Sequence, residues 1–131
     1  MTGTESIRDT QALHLNEVEI LARLDGDCQL LADLCDLSLT ELPRMRQTLA
    51  EAIKLRDANA VHRAAHRLKG ALSVFGGGPH TRDCITLEEM ALKQGLSSMQ
   101  EVFCGLERHL DQFSAAVEAL GKESHARSDR G

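Results

Sequence analysis

Apolar residues recur every three or four positions along most of this chain, and that spacing is what most narrows the fold. Leu30, Leu31, Leu34, Leu37, Leu42, Met45, Leu49 and Ile53 form one stripe, and Met99, Val102, Phe103, Leu106, Leu110, Phe113, Val117 and Leu120 form another. Residues three and four apart share one face of an α-helix, whereas a half-buried strand would alternate. Strand formers are scarce as well. Aromatic residues make up 2% of the sequence, with no Trp or Tyr, while Leu and Ala are plentiful. The chain has 131 residues, and one domain of roughly 100–200 residues is the usual size. A chain of this length buries roughly two-thirds of its unfolded surface, enough for a core without disulfides or metal.

Turn and cap signals divide the chain into five helices. Residues 1–12 are polar and read as a flexible arm. Asn16 with Glu19 has capping-box spacing, and Leu15 with Ile20 fits a hydrophobic staple. They predict a short helix over 17–24, ended by Asp25-Gly26. Asp27 caps a long helix over 28–55, with a bend or a junction of two helices expected at Pro43, which clashes with the carbonyl of Leu39. Asp57 caps a helix over 58–75, and Gly76-Gly77-Gly78-Pro79 stops it. A helix over 80–94 ends at Gly95. Ser97 with Gln100, or Ser98 with Glu101, caps the last, which Gly121 stops. Residues 122–131 are polar, of mixed charge, and are expected to be disordered. Amphipathic helices joined by short loops make an all-α, antiparallel four-helix bundle over 13–121, with the short first helix as an extra lid.

The helix over 58–75 carries the chemistry. With Leu68 at the centre of a helical wheel, Val61, Ala64, Ala65, Leu72 and Phe75 fall within about 60° of it, and His66 falls about 160° away. His66 therefore projects from mid-helix into water. His62, Lys69, Gly70 and Ser73 lie around it, with Arg63 and Arg67 toward the other flank. Gly70, one turn beyond His66, costs about 1 kcal/mol relative to Ala in a helix interior and leaves a gap beside the imidazole. From Ala58 to Arg82 there is no acidic residue, although the net charge of the chain is −5. Arg63, Arg67, Lys69 and Arg82, with His62, His66 and His80, form a basic patch. Its charge disfavours protonation of the ring and suits a bound phosphoryl group.

Ala65-His66-Arg67-Leu68-Lys69-Gly70 resembles the His-x-x-Lys-Gly signature of histidine-containing phosphotransfer (HPt) domains. Asp25-Gly26-Asp27 with Leu30-Leu31, Leu42-Pro43, Phe75-Gly76 and Leu87-Glu88 are similar to further family motifs in the same order. The resemblance spans about 15 to 120. Val74, where the family often has Asn, and the long glycine run are departures from it. The resemblance implies a histidine phosphocarrier of two-component phosphorelays. His66 would accept a phosphoryl group on a ring nitrogen, usually Nε2, from a receiver-domain aspartate and pass it to another receiver. It implies that Lys69 pairs with the phosphoryl oxygens and that Gly70 gives the receiver room. His62, Arg63, Arg67 and Ser73 would contact the partner, a response-regulator receiver or a hybrid sensor histidine kinase. No cofactor of its own is implied, and Mg²⁺ belongs to the receiver.

Other readings stay open at this point. The bundle could bind a receiver or kinase partner without turnover, with His66 incidental. His62 and His66, four apart, could hold a metal, but no carboxylate stands near them in the sequence, so no metal site is expected. Kinase activity is not expected, since no glycine-rich nucleotide loop is present and an ATP-binding domain does not fit. An acidic balance gives no support for nucleic-acid binding. No stretch of 18 apolar residues points to a membrane. Met1 to Gln11 lacks the apolar segment of a secretory leader. Cys28, Cys35, Cys84 and Cys104 show no C-x-x-C spacing and read as reduced thiols. A cytoplasmic monomer is the expectation, either free-standing or part of a larger hybrid kinase.

Overall fold

The structure, a computed structural model, describes residues 15–130. The expected arm, 1–12, lies outside the described residues. Local capping starts the first three helices where the sequence places them. Asn16 Oδ1 accepts the Glu19 amide at 3.1 Å and opens α1, Glu17–Arg23. Asp27 accepts from the Leu30 amide at 2.9 Å and opens α2, Cys28–Lys54. Asp57 accepts from Ala60 at 3.1 Å and opens α3, Ala58–Leu72. Each cap satisfies one of the amides that a helix start leaves without a partner. Between α1 and α2, Asp25 and Gly26 take positive φ, and the Gly26 amide reaches back to the Leu21 carbonyl at 2.8 Å.

α3 tightens into a 3₁₀ turn, Ser73–Phe75, and is stopped by Gly76 at φ 94°. α4, Pro79–Leu92, starts with Pro at its first position, where no intrahelical amide is needed. The Gly78 amide donates to Thr81 Oγ1 at 2.9 Å, and that hydroxyl donates back to the Gly78 carbonyl. A 3₁₀ turn, Leu96–Ser98, leads into α5, Met99–Arg130. α2 runs unbroken through Pro43, so the alternative of two helices meeting there does not hold.

α2 packs on α3 and α5, and α4 packs on the same two. Short connections make consecutive helices antiparallel, which gives the expected four-helix bundle. Leu31, Leu49, Val61, Leu68, Leu87, Leu106, Leu110 and Val117 are shut off from solvent at its centre. Phe75 and Phe113 meet edge to face at 5.5 Å. Leu30 and Leu37, read into the stripe of α2, are instead on its outer face. All four thiols are free. Burial, with help from Asp36, pushes Cys35 up to about 11, and burial, with help from Asp83 and Glu88, pushes Cys84 up to about 12. Both act as small apolar core groups.

Two expectations are overturned. Residues 122–130 of the expected disordered tail are helical, because α5 continues through Gly121 to Arg130. Gly121 lies at a close helix crossing, where an added Cβ would come within 3.1 Å of Cys35 Cβ. Beyond it Ser124 is buried, His125 pairs with Asp36 at 3.0 Å, Ser128 donates to Gln29 at 2.5 Å, and Arg127 pairs with Glu17 of α1. The polar composition that read as disorder is a seam against α1 and α2. His80, counted with the basic patch, is fully buried, its ring centre 4.8 Å from that of Phe113. Burial, with a smaller push from His109, lowers its pKa to about 4, and the Gly76 backbone and Asp83 act the other way. It is neutral in the core at ordinary pH.

Candidate functional site

The wheel of α3 places its residues as the sequence implies. Val61, Ala65, Leu68 and Leu72 are buried, and the His66 side chain, 66% exposed, stands on the opposite side. It lies more than a turn from either end of α3, so the backbone beneath it is held by helical hydrogen bonds on both sides. Gly70 is exposed, and an added Cβ there would meet nothing within 4 Å. Among the described residues, no packing contact calls for glycine at this position. Ser73 closes the end of the helix, its hydroxyl donating to the Gly70 carbonyl at 2.7 Å.

The surroundings of His66 differ from the sequence reading in one respect. Its neighbourhood is not free of acid. Glu88 of α4 sits with its side chain only 13% exposed, Oε2 3.3 Å from His66 Nδ1 and Oε1 2.9 Å from Lys69 Nζ. The same Oε2 is 4.0 Å from His62 Nε2. Burial alone would raise the Glu88 carboxyl, but its contacts with Lys69 and His66 outweigh it and hold the group below the usual carboxylate range. Glu88 is therefore ionised at neutral pH. The patch is a cationic rim around one fixed anion.

An ionised carboxylate can only accept. In a neutral ring the contact at Nδ1 then keeps the proton on Nδ1, and Nε2 carries the lone pair. The sequence reading took the choice of nitrogen from the resemblance alone. The one sequence trace of Glu88 was its place in the Leu87-Glu88 pair, which carried no role.

His62 and His66 hold parallel rings, 9° apart with centroids at 6.3 Å, as side chains one turn apart can. The carboxylate missing from the sequence reading of a metal site is thus present. Even so, no group of three His, Cys, Asp or Glu among the described residues is set to hold a metal ion, and Lys69 occupies the other Glu88 oxygen. Arg63 and Arg67 lie on the opposite flank. Arg67 lines a shallow groove with Glu41, Arg44, Met45, Thr48 and Ala64, between α2 and α3. The structure thus gathers His62, His66 and Lys69 around Glu88, puts Arg63 and Arg67 toward α2, and moves His80 into the core. Among the described residues, no helix is long and apolar enough to cross a membrane.

Neither a curated protein nor a solved structure matches the chain. A family model does: that of the Hpt domain matches residues 29–121, well over half of the sequence and four helices of the bundle. Domains of this family carry out histidine phosphotransfer in phosphorelays and contain no kinase domain of their own. That match shows that the chain belongs to the Hpt domain family.

Proposed function

We propose that this protein is a phosphocarrier that accepts a phosphoryl group on His66 Nε2 from a receiver-domain aspartate and passes it to another receiver. The observation that carries the reading is the 3.3 Å contact between His66 Nδ1 and Glu88 on an otherwise exposed imidazole. In the forward step the P–O bond of the aspartyl phosphate breaks, the electron pair leaves with the carboxylate, and Nε2 forms the N–P bond. The ring keeps its Nδ1 proton and becomes cationic, with Glu88 as its counterion. Phosphoryl transfer asks for positioning and charge stabilisation, and α3 supplies both.

Lys69 pairs with the phosphoryl oxygens. Gly70 gives the receiver backbone room, and Arg63, Arg67 and Ser73 with His62 border the docking surface. The carrier needs no cofactor of its own, and Mg²⁺ sits on the receiver. Its partners are response-regulator receivers and a hybrid sensor histidine kinase, met as a monomer in the cytoplasm, with no nucleic acid involved.

The test is transfer from a radiolabelled phospho-receiver. Label should move to this protein, be acid-labile and alkali-stable, and be lost in His66→Gln. Label that never moves, or that moves equally to His66→Gln, would leave a binding module without turnover.

A further inference from the structure

Three side chains that can donate a hydrogen bond converge on the one carboxylate of Glu88, and only two of them are in contact with it. Lys69 holds Oε1 at 2.9 Å and His66 holds Oε2 at 3.3 Å, while His62 Nε2 stands at 4.0 Å from Oε2. Nothing in the transfer step described above uses His62. Its ring lies parallel to that of His66 one turn earlier on α3, and its side chain is 37% exposed. A surface role alone would not direct its Nε2 edge at a carboxylate on the neighbouring helix.

Phosphorylation of His66 changes the competition for Lys69. A phosphoryl group carries more negative charge than a carboxylate and three acceptor oxygens. Lys69 serves it only by turning away from Glu88 Oε1. Glu88 is then left with one partner at 13% exposure, and a half-paired, mostly buried carboxylate is costly. It can follow Lys69 outward, which abandons the Nδ1 proton of the newly cationic ring, or it can take a replacement donor. His62 is the group in place. An approach of about 1 Å brings Nε2 into hydrogen-bond range, and the neutral imidazole can carry its proton on that nitrogen.

We infer that His62 is a positioning residue of the phosphorylated state: it donates from Nε2 to Glu88 when Lys69 moves to the phosphoryl group, and so keeps Glu88 on His66 Nδ1. This rests on the carrier reading above. It gives His62, at the border of the docking surface, a second role inside the site. The unphosphorylated protein does not need the contact, which is why the distance is long here.

The whole chain, with nitrogen-15-labelled histidine, is phosphorylated with phosphoramidate and followed by ring-nitrogen spectra. The expected result is a slowly exchanging Nε2–H signal on His62 that appears only after His66 is phosphorylated and is absent from phosphorylated Glu88→Gln. In parallel, phosphohistidine decay should quicken about threefold to tenfold in His62→Leu, the size of one partly exposed hydrogen bond to a charged group, and stay within about twofold of wild type in His62→Gln. The amide of Gln replaces the donor, so rescue separates a hydrogen bond from bulk. A His62 ring unchanged by phosphorylation, the same change in Glu88→Gln, or equal decay in Leu and Gln variants would overturn this inference and leave the carrier reading standing. A wild-type chain that takes no label on His66 would remove both.

Discussion

The burial of His80 makes a quantitative prediction about acid stability. The ring sits against Phe113 with no solvent exposure, and burial first, then the charge of His109, lowers its pKa from 6.5 to about 4. Above pH 6.5 the folded and unfolded chains both hold it neutral, so the core loses nothing. Between 6.5 and about 4 only the unfolded chain takes up the proton, so stability falls as the pH falls. Below about 4 both forms are protonated and the loss levels off. A displacement of this size corresponds to about 3 kcal/mol, since each pH unit inside the window contributes about 1.36 kcal/mol. Many carboxylates titrate over the same range, so the measurement is a difference. Urea unfolding is followed by circular dichroism for wild type and His80→Leu at several pH values from about 7.5 to about 4. Whatever offset the substitution introduces at neutral pH, wild type should lose about 3 kcal/mol relative to the variant across that window. Stability curves that run parallel would show that His80 takes up its proton without leaving the core, and the argument from burial would fail.

Further outcomes follow from the same structure. Gly70→Ala should stabilise the bundle by up to about 1 kcal/mol in thermal or urea unfolding, since a methyl there meets nothing, while slowing transfer from a receiver. Gly121→Ala should gain less than Gly70→Ala in the same assay, because its methyl would press on Cys35. Lys69→Ala should slow phosphoryl transfer and leave the bundle folded by circular dichroism, at some cost in stability from the ion pair with Glu88 that it removes; unchanged transfer would remove it from the mechanism. Deleting residues 122–131 should speed amide exchange in α1, which Arg127 ties to α5; unaltered exchange there would make the seam dispensable.

How much of this was legible in the sequence depended on how local the physics was. The caps Asn16, Asp27 and Asp57 act within three residues, so reading them needed no tertiary knowledge. The exposure of His66 followed from the 100° step of a helix and the apolar stripe behind it. Glu88 was out of reach because its contact joins residues 22 apart on different helices. The acid-free run ended at Arg82, and counting charges along the chain could not reveal that an acid from beyond that end folds back into the patch. His80 was misjudged for the same reason, since its charge class suited the surface while its place on α4 faces Phe113. The helical tail depends on pairs such as Glu17 with Arg127, 110 residues apart. Polar composition alone cannot separate a solvated segment from one whose partners lie at the other end of the chain.

The mid-helix position of His66 has a consequence for distance. An imidazole fixed to the centre of a hydrogen-bonded helix has only the reach of its own side chain, and no loop motion can deliver it elsewhere. If His66 carries the phosphoryl group as proposed, whatever moves that group from one aspartate to the next must therefore move the bundle as a body, or bring the receivers to it. The range and pace of the relay are then matters of diffusion and tethering outside the fold, while the fold itself sets only what happens once two surfaces have met.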